Sequence, residues 1–150
     1  MAQSLADIIL HIVSSTKERL PLIKPSVEEE LYSYISGVCK KLNSPVIKIN
    51  GVEDHIHILL QLGRTIAVSD LISEIKSSSS RWIKTKDPFF NNFSWQGGFG
   101  VFSVSRQNLE GAKHYLEGQK EHHKKVSFKE ELLALLKRAE IRYDEKHLWD

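Results

Sequence analysis

Cysteine is nearly missing from this 150-residue sequence, with Cys39 the only one. No internal disulfide can form, and no thiolate cluster can bind a metal. Cys39 itself stands in a helix-like segment and reads as a small buried residue without a chemical role. Long apolar runs are missing too. The longest near the start, Ile8 to Val13, is short, is broken by His11 and has no basic stretch before it. That excludes a signal peptide or a membrane span and predicts residence in the cytoplasm. Internal repeats and linkers are absent, so residues 1–150 are expected to form one domain. A strong charge of one sign is absent as well: 21 Lys and Arg oppose 19 Asp and Glu, a net +2. Such a balance does not by itself announce a nucleic-acid binder.

What is present is an ordinary globular composition, 41% hydrophobic and 27% charged. The charges are unevenly placed. Arg64, Lys76, Arg81, Lys84 and Lys86 face only Asp70 and Glu74 in the same stretch, whereas acids gather at Glu28–Glu30 and after Glu130. One part of the surface can therefore be locally positive, although any single lysine is equally served by a solvated helix face.

Ala6 to Ser14 reads as a first strand, followed by a turn in which Pro21 and Pro25 forbid a continuous helix. Ser26 with Glu29 is a capping-box pattern, and Val27, Leu31, Tyr34, Ile35, Val38 and Leu42 recur at helical spacing to Asn43. Pro45 to Ile49 reads as a second strand, Gly51 as its turn, and "DHIHILLQL", Asp54 to Leu62, as a third that completes a hairpin. Val68, Leu71, Ile72, Ile75 and Trp82 mark a second helix, weakened by Ser77–Ser80 and ended by Asp87-Pro88. The glycine loop "WQGGFG" leads into a fourth strand, "VFSVS". A helix over 106–125 follows, and Ser127 with Glu130 caps a last one, Phe128 to Ala139. This order predicts an α+β fold, the ferredoxin-like βαββαβ sandwich with an antiparallel sheet and additional C-terminal helices. The tail "IRYDEKHLWD" is expected to dock through Trp149 or to fray.

The third strand is the unusual one. Alternation puts His55, His57 and Leu59 on one face and Ile56, Ile58 and Leu60 on the other. The apolar face can pack, and the histidine face needs a reason. Two imidazoles at i and i+2 leave a strand roughly 7 Å apart and can reach one metal ion. Partly buried histidines or a solvent-facing pair explain the same spacing, and two donors alone make an incomplete site. In the helix "SRQNLEGAKHYLEGQKEHHKK", Tyr115 and Gln119 share a face at i and i+4, with His122 on that flank. Leu109, Ala112 and Leu116 form the adjoining apolar stripe, beside which a tyrosine ordinarily serves packing.

Together, His55-Ile56-His57, Tyr115 with Gln119, "WQGGFGVFSVS", the early "HIVSSTKERLPLI" and the closing "SFKEELLALLKRAEIRYDEKHLWD" resemble one family over nearly the whole chain. It is that of the small single-tyrosine transposases of bacterial insertion sequences, the IS200-like transposases of the His-hydrophobic-His endonuclease superfamily. REP-associated tyrosine transposases are close relatives. The resemblance implies that His55, His57 and Gln119 hold a divalent metal, Mg²⁺ or Mn²⁺, and that Tyr115 is the nucleophile. It further implies cleavage of single-stranded DNA at hairpin ends through a 5′-phosphotyrosine, and a homodimer in which each tyrosine helix serves the partner. Two features depart from the family: Glu53 replaces a frequent proline, and Gly111 and Gly118 interrupt the tyrosine helix at about 1 kcal/mol each.

The chemistry suits these residue types. Two neutral imidazoles and an amide oxygen leave a cation's charge free for a phosphate, which fits Mg²⁺ or Mn²⁺ with open positions, whereas Zn²⁺ prefers a tighter tetrahedral set. The phenol, with a free pKa of ~10, needs help from the metal's field or a nearby base, and His114, His122 or a water are candidates to take the proton. Lys76, Arg81 and Lys84 are candidate phosphate contacts, and Trp95 and Phe99 candidate base-stacking platforms, with core packing as the competing reading for both aromatics. Two other functions fit parts of the pattern. A non-catalytic ferredoxin-like nucleic-acid-binding module needs no metal, and a metal-dependent hydrolase of small ligands leaves Tyr115 idle. A domesticated REP-type hairpin-processing nuclease is the nearest variant of the main reading.

Overall fold

The computed structural model describes residues 2–150. Its centre is β1 (Ile9–Ser15), every residue of which is buried. A strand covered on both faces has no need to alternate, hence its nearly continuous apolar sequence. It runs antiparallel to β3 (His55–Gln61), with Ile12 opposite Ile58, and to β4 (Gly100–Val104), with Ile12 opposite Val101. β2 (Val46–Val52) pairs with β3 through an irregularity between Val46 and Lys48. The order β2-β3-β1-β4 with all neighbours antiparallel is the ferredoxin-like arrangement expected.

One face of the sheet is covered by α1 (Pro25–Lys41) and α2 (Val68–Ile83). Leu31, Ile35 and Cys39 of α1 and Leu71, Ile72, Ile75 and Ile83 of α2 pack there on Leu10, Ile12, Ile56, Ile58 and Leu60. Each fully buried aliphatic contributes about 1.5–3 kcal/mol. Four serines at roughly 0.5 kcal/mol each cannot break α2 against that. Ser78 and Ser79 are also absorbed by the helix itself, donating to Glu74 Oε1 at 2.8 Å and to the Ile75 carbonyl at 2.6 Å.

The opposite face carries α3 (Leu109–Glu117), α4 (Gln119–His122) and α5 (Phe128–Arg138). Its apolar cluster is small: Ile9, Leu59 and Leu116, joined by Leu109, Ala112 and Tyr115. Polar links supplement it. Asn50 Nδ2 donates to the Leu116 carbonyl at 2.8 Å, and Lys120 Nζ reaches Glu28 at 2.6 Å and Asn50 at 3.2 Å. The tail docks: Trp149 lies between Arg19 and Lys129, and its carbonyl accepts from Gln96 Nε2 at 2.7 Å.

Four local expectations are corrected. The helix expected over 106–125 is a 3-10 turn followed by α3 and α4, separated at Gly118. The Ser26 capping box does not form, because Pro25 already occupies the first turn and Lys24 is the cap. Gly51 is not the hairpin turn. It lies inside β2, where a Cβ would stand 2.3 Å from the His55 carbonyl oxygen, so close approach of the two strands demands glycine. The first strand begins at Ile9, not Ala6. The capping box at Ser127 and Glu130 forms in both halves.

Candidate functional site

Strand alternation does what the sequence requires of it. Ile56 and Ile58 point into the α1–α2 core, and His55 and His57 point to the α3–α5 side, both fully buried. Neither is left as an unsatisfied imidazole. His55 Nδ1 meets Asp54 Oδ1 at 2.7 Å, and His57 Nδ1 meets Nε2 of His11, from β1, at 2.7 Å. Their Nε2 atoms converge on one carboxylate oxygen, Oε1 of Glu131 on α5, at 3.2 Å from His55 and 2.8 Å from His57. A third imidazole joins them: His123, just after α4, places Nε2 at 3.0 Å from the same oxygen and turns Nδ1 to the Val126 carbonyl at 2.6 Å.

The second oxygen of Glu131 serves the other expected residues. Tyr115 donates its hydroxyl to Oε2, and Gln119 Nε2 donates to it at 3.1 Å. Gln119 Oε1 stands 3.4 Å from His55 Nε2. The structure thus brings all four residues, His55, His57, Gln119 and Tyr115, to one point within a single chain. His122 Nε2 lies 3.4 Å from Oε2, while His114 is exposed, so the group in direct contact with the phenol is Glu131.

The electrostatics follow from burial and these contacts. Burial favours the neutral acid of Glu131, but hydrogen bonds from His123, His55 and His57 outweigh it and hold the carboxyl well below its ordinary range. Burial lowers His55, yet its bonds to Asp54 and Glu131 carry it above the ordinary histidine value. In His57 burial prevails and the pKa is lowered. Burial, with repulsion from His57, takes His11 down to about 3, so it is a neutral partner. The Tyr115 phenol is pushed up by burial and by the Glu131 charge, and stays protonated here.

Four donor atoms, from His55, His57, His123 and Glu131, lie within 4.8 Å of one another, a group able to hold a divalent ion. Sequence reasoning missed four participants. His11 was noted only as a break in an apolar run and Asp54 only as the first residue of the third strand, while His123 and Glu131 were not singled out at all. A signal existed for one: His123 is four residues beyond Gln119, the spacing of one helical face.

The candidate DNA contacts lie elsewhere. Lys76 and Arg81 are on α2, and Lys84 follows it, in the layer on the other side of the sheet from the histidines. Arg81 and Lys84 are exposed. Lys76 instead spends its ammonium on the glycine loop, donating to the Gln96 carbonyl at 2.8 Å and to that of Gly98, and burial lowers its pKa. Trp95 is a core residue, edge-on to Phe93 and donating to Ser79 Oγ at 2.9 Å, which removes its ring from stacking. Phe99 is exposed. A cavity of about 1000 Å³ opens beside Tyr115, lined by His11, Phe102, Ser103, Gln107 and Arg138 among others.

Comparison with known proteins gives the family. The family described as "Transposase IS200 like" matches residues 4–119. The chain belongs to the IS200-like transposases. Its similarity to individual members is distant: the ISDra2 transposase TnpA of Deinococcus radiodurans is 21% identical over 114 residues, which is 73% of this chain and 81% of that protein. Two solved structures share the fold. A transposase crystal structure from Deinococcus radiodurans R1 superposes with a TM-score of 0.62 at 19% identity, covering 79% of this chain and 98% of that one. A REP-associated tyrosine transposase bound to a REP hairpin also gives 0.62, at 14% identity, over 84% of this chain and 76% of the other. The IS200-like match ends at Gln119, so His123 and Glu131 lie outside it. Among the described residues, no helix is long and apolar enough to cross a membrane.

Proposed function

We propose that this IS200-like transposase is a metal-dependent single-stranded DNA endonuclease and strand-transferase, with Tyr115 as nucleophile. It would act in the cytoplasm on DNA with hairpin ends. The observation that carries the reading is that the Tyr115 hydroxyl and the Nε2 atoms of His55 and His57 all meet Glu131 in one chain. A tyrosine serving only the core has no reason to reach that carboxylate.

The chain's own groups divide the work. Tyr115 oxygen attacks the scissile phosphorus, the bond to the 3′ oxygen breaks, and the 5′ strand remains as a phosphotyrosine that a second 3′-hydroxyl can attack to rejoin strands. Glu131 Oε2 holds and aims the phenolic hydroxyl beforehand; kept well below its ordinary range by the histidines it is a weak base, and the proton passes on to His122, whose Nε2 stands 3.4 Å from the same oxygen, or to water. Asp54 and His11 fix the ring orientations of His55 and His57. The divalent ion, Mg²⁺ or Mn²⁺ at His55, His57 and Gln119 by the family resemblance, supplies positive charge beside the phosphate and the leaving oxygen when bound. The cavity beside Tyr115 has room for the strand, and Arg81, Lys84 and Phe99 remain as outer contacts.

The REP-associated relative is bound to a REP hairpin. For this chain that supports hairpin DNA, processed either for transposition or as a domesticated nuclease. The decisive test incubates labelled single-stranded DNA from the flanks of its own gene with protein and Mn²⁺, followed by denaturing electrophoresis. Wild type should yield a protein-linked strand and Tyr115→Phe none, with DNA binding retained; cleavage surviving that change refutes the assignment. A homodimer exchanging tyrosine helices is the expected working form, although one chain already brings Tyr115 to its own histidines. Sedimentation at working concentration that finds only monomer would exclude the exchange.

A further inference from the structure

We infer that the metal site of this protein is a four-donor set, His55, His57, His123 and Glu131, selective for an imidazole-preferring transition ion over Mg²⁺, with Gln119 an outer partner. The inference rests on the nuclease reading and alters only its ligands and its ion. The family assignment of three donors places Gln119 beside the histidine pair. Here the amide is one step removed: its oxygen is 3.4 Å from His55 Nε2 and its nitrogen is committed to Glu131 Oε2 at 3.1 Å.

His123 meets the same requirements as the two expected histidines. A ligating imidazole characteristically engages its other ring nitrogen with a carboxylate, a carbonyl or another polar group, which fixes the tautomer and aims the free lone pair. His55 does so through Asp54, His57 through His11, and His123 through the Val126 carbonyl. All three then aim Nε2 at Glu131 Oε1, between 2.8 and 3.2 Å. A histidine serving only as a surface residue would not have its side chain 7% exposed with both nitrogens engaged. Glu131 is as buried as the histidines it faces, and it is the only carboxylate among the four donors.

The donor chemistry selects the ion. Mg²⁺ demands oxygen ligands and keeps its waters, so a set with three imidazoles fits it poorly. Imidazole favours the transition series, with Zn²⁺ above Mn²⁺ for a given nitrogen-rich site, and three histidines with one carboxylate would supply four donors in the absence of DNA, with expansion to a fifth position left for a phosphate oxygen. The same carboxylate bonds Tyr115 through its second oxygen, so the nucleophile is held by a ligand of the ion.

The test is calorimetric titration of chelator-treated full-length protein with Zn²⁺, Mn²⁺ and Mg²⁺. The variants are His123→Ala, Glu131→Gln, Gln119→Ala and, as reference, His55→Ala, each checked first by thermal melting. Wild type should bind one ion, Zn²⁺ and Mn²⁺ at least about 100-fold more tightly than Mg²⁺. His123→Ala and Glu131→Gln should weaken Mn²⁺ as His55→Ala does, and Gln119→Ala by no more than the roughly tenfold of an outer partner. Should Glu131→Gln fail to fold, His123→Ala decides. A Co²⁺ spectrum of the wild type, needing no variant, should show the intense visible absorption of a four-coordinate ion. Wild-type Mn²⁺ affinity in His123→Ala, a Gln119→Ala loss matching that of His55→Ala, equal affinity for Mg²⁺, or a pale Co²⁺ spectrum would each overturn the four-donor set. Those results would leave the nuclease reading standing. Failure of that reading shows separately, as tight Mn²⁺ binding without any protein-linked DNA.

Discussion

Three imidazoles around one carboxylate oxygen is an arrangement that burial alone would forbid. Glu131 survives as an anion because each histidine supplies a hydrogen bond, and removing one partner of such a set leaves the rest poorly satisfied. His11 contributes at one remove, and its cost is visible in pH. Its pKa falls from the ordinary 6.5 to about 3 on folding, so the unfolded chain binds that proton more readily. The stabilisation from keeping His11 neutral is therefore fully present above about pH 6.5 and is lost as pH falls toward about 3, at up to ~1.4 kcal/mol per pH unit. His57 and Glu131, both depressed, act in the same direction, whereas the raised His55 opposes them, its contribution fading as pH rises through its folded value. Urea midpoints of metal-free protein between about pH 4 and 7 should decline with acid, and His11→Asn should make the slope shallower by up to one proton. An unchanged slope would mean that His11 is not held neutral.

At the scale of elements, the site depends on how α3, α4 and α5 are stopped and started. The break at Gly118 lets Gln119 open a new short helix and carries His123 back over β3, close enough to set its ring 4.4 Å from that of His55. Asn50 and Lys120 hold that corner to β2 and α1. α5 begins at a complete capping box, with Glu130 N–H donating to Ser127 Oγ at 3.2 Å, and Glu131 is the next residue. Ser127→Ala should cost about 1 kcal/mol of stability, read from the urea midpoint, with the fastest amide exchange appearing at the start of α5. A loss spread evenly over the sheet would contradict a local role for the cap.

For the whole molecule, the sheet separates two tasks. The face under α1 and α2 holds the large aliphatic core, and the face under α3, α4 and α5 holds the polar cluster with a thinner apolar support. Basic residues of α2 therefore cannot assist the chemistry directly, and if they touch DNA they do so around the edge of the molecule. Single-stranded DNA binding should weaken linearly in log salt, and Arg81→Ala or Lys84→Ala should each reduce the slope by about 0.7 for a lost phosphate contact. Lys76→Ala should leave the slope alone and instead lower the melting temperature, since its ammonium holds the glycine loop. A slope unmoved by the α2 variants would place the DNA wholly on the other face.

The sequence by itself determined the α+β order of elements, the two faces of β3 and the shared helix face of Tyr115 and Gln119, because strand and helix periodicities of 2 and 3.6 dictate which side chains share a face. That the histidine pair and this helix pair meet was implied only by the family resemblance, and it is packing across 64 residues of chain that joins them. Its local terminators were legible only where the signal was strong: Ser127 with Glu130 capped a helix, whereas Pro25 displaced the matching pattern at Ser26. Tertiary structure alone decided that Glu131, His123, His11 and Asp54 complete the site. Glu131 lies 74 residues from His57 along the chain. No periodicity links such positions; only the packing of α5 over the histidine face of the sheet, where buried imidazoles must find partners, makes them neighbours.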